Sequence, residues 1–187
     1  MSYLQDLATH LAIHASTDSY REKTIRLALD IDAAAKSRST VLVIANGGSS
    51  AIASHLCVDL IKNVNVRAHF MSDHGLLTCF SNDYGYEYSG EQYLQRFMDP
   101  GSVVILISSS GKSPNILRSA MYCIAQHVKC FGYAGFGQTS SLAELLGESR
   151  TLQVDSCNYN VVEAAHLAML LDVVEFLRVR KQEAVSE

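Results

Sequence analysis

No stretch of the 187 residues approaches the roughly 20 consecutive apolar positions that cross a bilayer, so no membrane-spanning helix is expected. A long basic run is also missing and the formal net charge is −4, which argues against a broad nucleic-acid footprint. Met1 to His14 lacks the basic-then-apolar pattern of an export signal. No CxxC pair occurs among Cys57, Cys79, Cys123, Cys130 and Cys157. Odd in number and widely spaced, these cysteines suggest neither a zinc knuckle nor a disulfide framework, and fit idle thiols in a reducing cytoplasm. Charged residues are only 18% against 48% hydrophobic, the balance of a globular chain rather than a disordered one. The length suits one domain, 1–187, and leaves no room for two good cores.

What is present alternates strands with helices. Leu4, Leu7, Ala8 and Leu11 recur at helical spacing, and Ile25, Ala28 and Leu29 resume it after the polar Ser16–Ser19 break. Residues 1–37 therefore read as a helical extension that packs on the domain or at a subunit interface. Thr40–Ala45 is a short apolar run rich in β-branched residues, as expected of a strand buried on both faces. It ends in the turn Asn46-Gly47-Gly48-Ser49-Ser50, with a helix to about Lys62. Ser102–Ile107 repeats the pattern, followed by Ser108-Ser109-Ser110-Gly111-Lys112-Ser113 and a helix to about His127. Lys129–Ala134 and Thr151–Val154 are further strand candidates, Arg67–Phe70 a shorter one, and Asn160–Arg180 a long closing helix. With only 2 prolines, this order predicts βαβ units and a three-layer α/β/α doubly wound parallel sheet of flavodoxin type.

Ligands of such sheets bind beyond the carboxyl ends of the strands, where strand order reverses. Both polar turns fall at such ends, and each opens a helix whose free N–H groups favour an anion. A serine cluster before a helix is also an ordinary cap and turn; two of them at the two expected switch-point strands favour a dianionic phosphate. A P-loop is excluded because Leu106 stands where its first glycine is required, and Asn46-Gly47-Gly48-Ser49 is no dinucleotide fingerprint. No nucleotide cofactor is expected.

These residues resemble the sugar isomerase (SIS) domain family, and within it the phosphoheptose (sedoheptulose 7-phosphate) isomerases. The resemblance runs over nearly the whole chain and rests on Asn46-Gly47-Gly48-Ser49, Asn82-Asp83, the final helix and the Ser108–Ser113 stretch, which matches the family's S-[ST]-S-G-x-S loop. It implies that Ser108, Ser109, Ser110 and Ser113 contact a sugar phosphate, that Asn46, Gly47 and Ser49 line the sugar, and that Asp83 lies near it. The family carries a histidine and, four residues on, a glutamate after the Asn-Gly-Gly-Ser turn; His55 and Asp59 match them. That glutamate removes the proton beside the carbonyl to give an enediol, a histidine of the final helix completes the site, and zinc is associated with it. The resemblance further implies a homotetramer with sites built between subunits.

The chain departs from the family pattern at several positions. Asp59 is one methylene shorter than glutamate, and a displacement of about 1 Å can cost on the order of 10²-fold in rate. In the family's Q-E-x-H-x-x-x-x-H, aligned on His166, Glu163 replaces the glutamine and Leu171 the second histidine; Asn160 stands near a family aspartate. Glu163 and His166, three apart on the final helix, could compensate, so that His55, Asp59, Glu163 and His166 form the catalytic group and a nitrogen-and-oxygen site for zinc. The other reading makes His166 a satisfied helix histidine and Glu163 a solvated or paired carboxylate. The first expectation is thus an aldose–ketose isomerase of phosphorylated sugars. The alternative is a non-catalytic SIS protein that binds a phosphosugar or a protein partner.

Overall fold

The computed structural model describes residues 2–186, with side chains described through residue 183. The chain runs α1 (Tyr3–Ala15), α2 (Asp18–Lys36), β1 (Val41–Ala45), α3 (Gly47–Val64), β2 (Ala68–Phe70), α4 (His74–Tyr84), α5 (Ser89–Phe97), β3 (Val103–Ser108), α6 (Pro114–Ala125), β4 (Lys129–Gly135), α7 (Ser141–Leu146), β5 (Thr151–Val154) and α8 (Tyr159–Ser186). All strand pairs are parallel and the order is β2-β1-β3-β4-β5. This is the doubly wound arrangement expected, and its switch point lies between β1 and β3.

Alternation along the strands makes two cores. Val41, Val43, Val103, Ile105, Ile107, Phe131 and Tyr133 face α2, α3 and α8, whereas Leu42, Ile44, Val104, Leu106, Cys130 and Ala134 face α5, α6 and α7. Every residue of β1 and β3 is buried, so both strands read as continuous apolar runs. Ser16 and Thr17 end α1 and start α2: Thr17 Oγ1 accepts from the Tyr20 N–H, and the Ser16 N–H donates to Ala12.

The sequence reading assigned no helix between residues 71 and 101, yet α4 and α5 lie there. Asp73 caps α4 by accepting from the Leu76 N–H at 2.7 Å. A 3-10 turn at Tyr86–Tyr88 then leads into α5. These helices are short and contain Gly75 and Gly90. Gly90 is needed because a Cβ there would come within 2.3 Å of Ser119 Oγ on α6. The glycine that weakens the helical signal is what allows α5 to approach α6.

Candidate phosphosugar site

Four helices satisfy one of their first N–H groups with their own cap side chain: Ser2, Thr17, Asp73 and Ser140 each accept from a backbone N–H of the following turn. The two helices at the switch point do otherwise. Asn46 precedes α3 and Ser113 precedes α6, and neither side chain caps its helix. Residues of ideal capping type are diverted, and neither helix has its N-terminal donors satisfied by its own cap side chain.

Asn46 is diverted to α6. Its Nδ2 donates to Asn115 Oδ1 at 2.9 Å, and Asn115 Nδ2 donates back to Asn46 Oδ1 at 2.8 Å. The Tyr86 hydroxyl donates to the same Asn46 oxygen at 2.8 Å. Both lone pairs of that oxygen are therefore used, and the second Nδ2 proton of Asn46 remains for a sugar oxygen. Asn115 is fully buried. The reciprocal amide pair ties the first turn of α6 to the start of α3 across the β1/β3 gap. Sequence reading singled out Asn46 but missed Asn115, because its partner lies 69 residues away and no local spacing marks it.

Ser113 is diverted to Ser108 at the end of β3, with Oγ atoms 3.1 Å apart. Ser108 and Ser109 are buried and Ser110 is half-buried. The Ser109 hydroxyl is buried without a hydrogen-bond partner, a condition that costs on the order of 1–3 kcal/mol unless a ligand satisfies it. Ser110 Oγ accepts from the Lys112 N–H at 3.3 Å. Gly111 closes the loop at φ +62°, with its N–H on Ser108 O at 2.8 Å, a left-handed position suited to glycine. A loop held this tightly, with serine hydroxyls and an uncapped α6, is suited to an anion.

The four residues expected to carry the chemistry do not gather within one chain. His55 and Asp59 do pair, with Nε2 and Oδ2 3.3 Å apart, but on the outward face of α3, where the His55 side chain is 50% exposed. Glu163 reaches the sugar turn instead. Its carboxylate lies against Gly48, where a Cβ would come within 2.5 Å of Oε2. It shares a cavity of about 360 Å³ with Tyr3, Ile52, Asn160 and Leu167. This carboxylate lies at the positive end of α3, which leaves the N-terminus of α6 as the end of the pair without an acidic side chain against it.

His166 departs most from expectation. It is fully buried, its Nε2 donates to the Ala134 carbonyl at 2.9 Å, and its ring stands edge-on to Tyr133. Nδ1 is sealed without a partner, and burial lowers the imidazole pKa to about 4. Three residues along a helix leave about 60° between side chains, enough to turn Glu163 towards α3 and His166 into the sheet. His166 is a packing residue that docks α8 on β4. Among the described residues no three His, Cys, Asp or Glu side chains gather as a metal site, so the expected donors do not fit a zinc ion within one chain. Ser49 is buried in the first turn of α3, Gly47 is exposed at φ +53°, and Leu171 is half-buried on α8. Asp83 is exposed near the end of α4, where it accepts from Asn82 Nδ2 at 2.9 Å.

No family profile matches the chain. A phosphoheptose isomerase of Burkholderia pseudomallei is 32% identical over 137 residues, covering 69% of this chain and 67% of that protein. A phosphoheptose isomerase of Maridesulfovibrio salexigens is 28% identical over 163 residues, 81% of this chain and 78% of its own. A phosphoheptose isomerase structure from Francisella tularensis superposes with a TM-score of 0.84 at 20% identity, over 94% of each chain. Its likeness supports the fold, and the Burkholderia protein carries the kinship. With the serine loop, the Asn-Gly-Gly-Ser turn and the 2-1-3-4-5 sheet in place, the chain belongs to the phosphoheptose isomerase family.

Proposed function

We propose that this chain is a phosphosugar aldose–ketose isomerase, of the sedoheptulose 7-phosphate type that its relatives' names describe. The observation that carries the reading is the uncapped N-terminus of α6 beside the buried, unpaired Ser109 hydroxyl at the switch point. Ser108, Ser109, Ser110 and Ser113 hold the phosphate at α6. Asn46, fixed by Asn115 and Tyr86, offers its remaining N–H to a sugar oxygen.

The reaction moves one proton from the carbon beside the carbonyl to the former carbonyl carbon. An enediol lies between, and a hydroxyl proton moves in the same sense, from the oxygen on that carbon to the former carbonyl oxygen. Asp59, oriented by His55, is the base, and Glu163 serves the oxygen at the sugar turn. For the two to meet, the outward face of α3 must cover the site of a second copy. His55, Val58 and Ile61 lie about one turn apart on that face, and Val58 and Ile61 are 55% and 53% exposed, which suits burial against another subunit of a homotetramer. No step is assigned to a metal ion. Five free cysteines fit a reducing cytoplasm. Isomerase relatives lend no support to the non-catalytic alternative.

The test is proton NMR of sedoheptulose 7-phosphate with the protein in D₂O. Deuterium appearing beside the carbonyl, with an aldoheptose phosphate accumulating, is the expected result. Asp59→Asn should slow it by at least about 10²-fold. Sugar-phosphate signals that broaden without any exchange would overturn the isomerase reading.

A further inference from the structure

One side chain outside the serine loop controls what the loop rests on. Gln153, half-buried on β5, uses its whole carboxamide. Nε2 donates to the carbonyls of Gly135 at 2.7 Å and Gly137 at 3.0 Å, while Oε1 accepts from Ser140 Oγ at 2.9 Å. Both amide protons are thus engaged. The three residues it grips span the turn that follows β4, in which Phe136 at φ +62° and Gly137 at φ +126° reverse the chain.

That turn is the back wall of the serine loop. A Cβ on Gly135 would come within 3.0 Å of the Ser109 carbonyl, and one on Gly111 within 2.4 Å of Ser140 Cβ and 2.6 Å of Ser140 Oγ. The Gly111 carbonyl accepts from the Leu142 N–H at 3.0 Å, in the first turn of the helix that Ser140 caps. At this spacing neither wall can shift without moving the other. Ser109 and Gly111 have no direct contact with Gln153, yet each rests on a residue that Gln153 holds.

We infer that Gln153 is a positioning residue for phosphate binding. Through Gly135, Gly137 and Ser140 it sets the height of Ser109 and Gly111 above the N-terminus of α6. The inference rests on the reading that Ser108–Ser113 holds the substrate phosphate. It also explains why a half-buried glutamine lies at the C-terminal end of a strand that supplies no ligand of its own. Glutamate is the instructive replacement, because it keeps the acceptor for Ser140 but sets a carboxylate against two carbonyl oxygens.

The experiment compares wild type, Gln153→Ala, Gln153→Glu and Ser109→Ala, each folded as judged by its melting curve. Calorimetry gives the Kd for inorganic phosphate, and steady-state kinetics with sedoheptulose 7-phosphate give KM and kcat. Loss of about one net hydrogen bond's worth of organisation predicts Kd and KM raised roughly tenfold in Gln153→Ala, with kcat within about threefold of wild type. Gln153→Glu should be at least as impaired in both affinities. A role confined to stability would lower the melting temperature and leave KM and Kd alone. Should Gln153→Ala fail to fold, Ser140→Ala reads the same linkage: it keeps the Cβ against Gly111 and removes the hydroxyl that Gln153 holds. A rise in KM and Kd there supports the inference, and none overturns it. Unchanged phosphate affinity in the Gln153 variants, with Ser109→Ala weakened, overturns the positioning role and leaves the loop reading standing. Unchanged affinity in Ser109→Ala as well removes the loop reading, and the positioning role with it.

Discussion

The two ends of this site are built differently. At the proposed phosphate end the pieces come from one chain: β3 carries the serines into the loop, α6 has no side-chain cap, and the Asn46–Asn115 pair ties α6 to α3. At the chemical end the pieces are scattered. His55 and Asp59 face outward, Glu163 sits at the sugar turn, and His166 is sealed in the core. The contrast teaches that one folded chain gathers the donors proposed for the phosphate, while the proposed proton transfer requires a second copy. Sheet topology alone makes the phosphate end, since it needs only strands that stop and helices that start at the switch point. The chemical end needs long side chains from separate helices to converge, which helix rotation within one subunit does not accomplish.

The largest expected effect on this comparison comes from breaking the brace between α3 and α6. Asn115→Ala removes a fully buried amide and leaves the half-buried Asn46 short of two partners, and should cost about 1–3 kcal/mol of stability, read from urea denaturation. Phosphosugar affinity should fall with it, because Asn46 loses its fixed orientation. A variant that unfolds like wild type and binds like wild type would show that the two helix ends are not coupled through this pair.

A smaller effect sharpens the other side. His166 has its folded pKa lowered to about 4 from an ordinary 6.5, chiefly by burial. Between those values the unfolded chain binds a proton that the folded chain refuses, so stability falls as pH drops from about 6.5 towards about 4. His166→Gln has no proton to gain and should flatten that part of the stability profile, measured by denaturation midpoints across the range. An unchanged acid slope would mean that His166 is not the sealed neutral side chain described.

Much of this was legible in the sequence, for reasons the elements make plain. Continuous apolar runs identify β1 and β3 because both are buried on both faces, and the turn residues after them mark the site. The α4–α5 region was not legible, since its helices are short and each has a glycine in its first turn, of which Gly90 serves packing against α6. Among the site residues, the Ser108–Ser113 loop lies on one turn and is read directly. Asn115 and Gln153 depend on partners brought close only by the fold. For His166 the spacing leaves two readings, a site residue or a satisfied helix histidine, and the packing matches the second: Glu163 meets α3 and His166 meets β4.

The most direct test of the central claim is calorimetric titration of sedoheptulose 7-phosphate into wild type, Ser109→Ala and Asp59→Asn. Removing an unpaired buried hydroxyl should leave the melting temperature unchanged or slightly higher. The same change should weaken binding roughly tenfold, the scale of one hydrogen bond to a charged group. Asp59→Asn should bind the sugar phosphate as wild type does while failing to turn it over. Ser109→Ala binding as tightly as wild type, or Asp59→Asn losing the ligand altogether, would contradict the division of the site into a phosphate end complete in one chain and a separate chemical end.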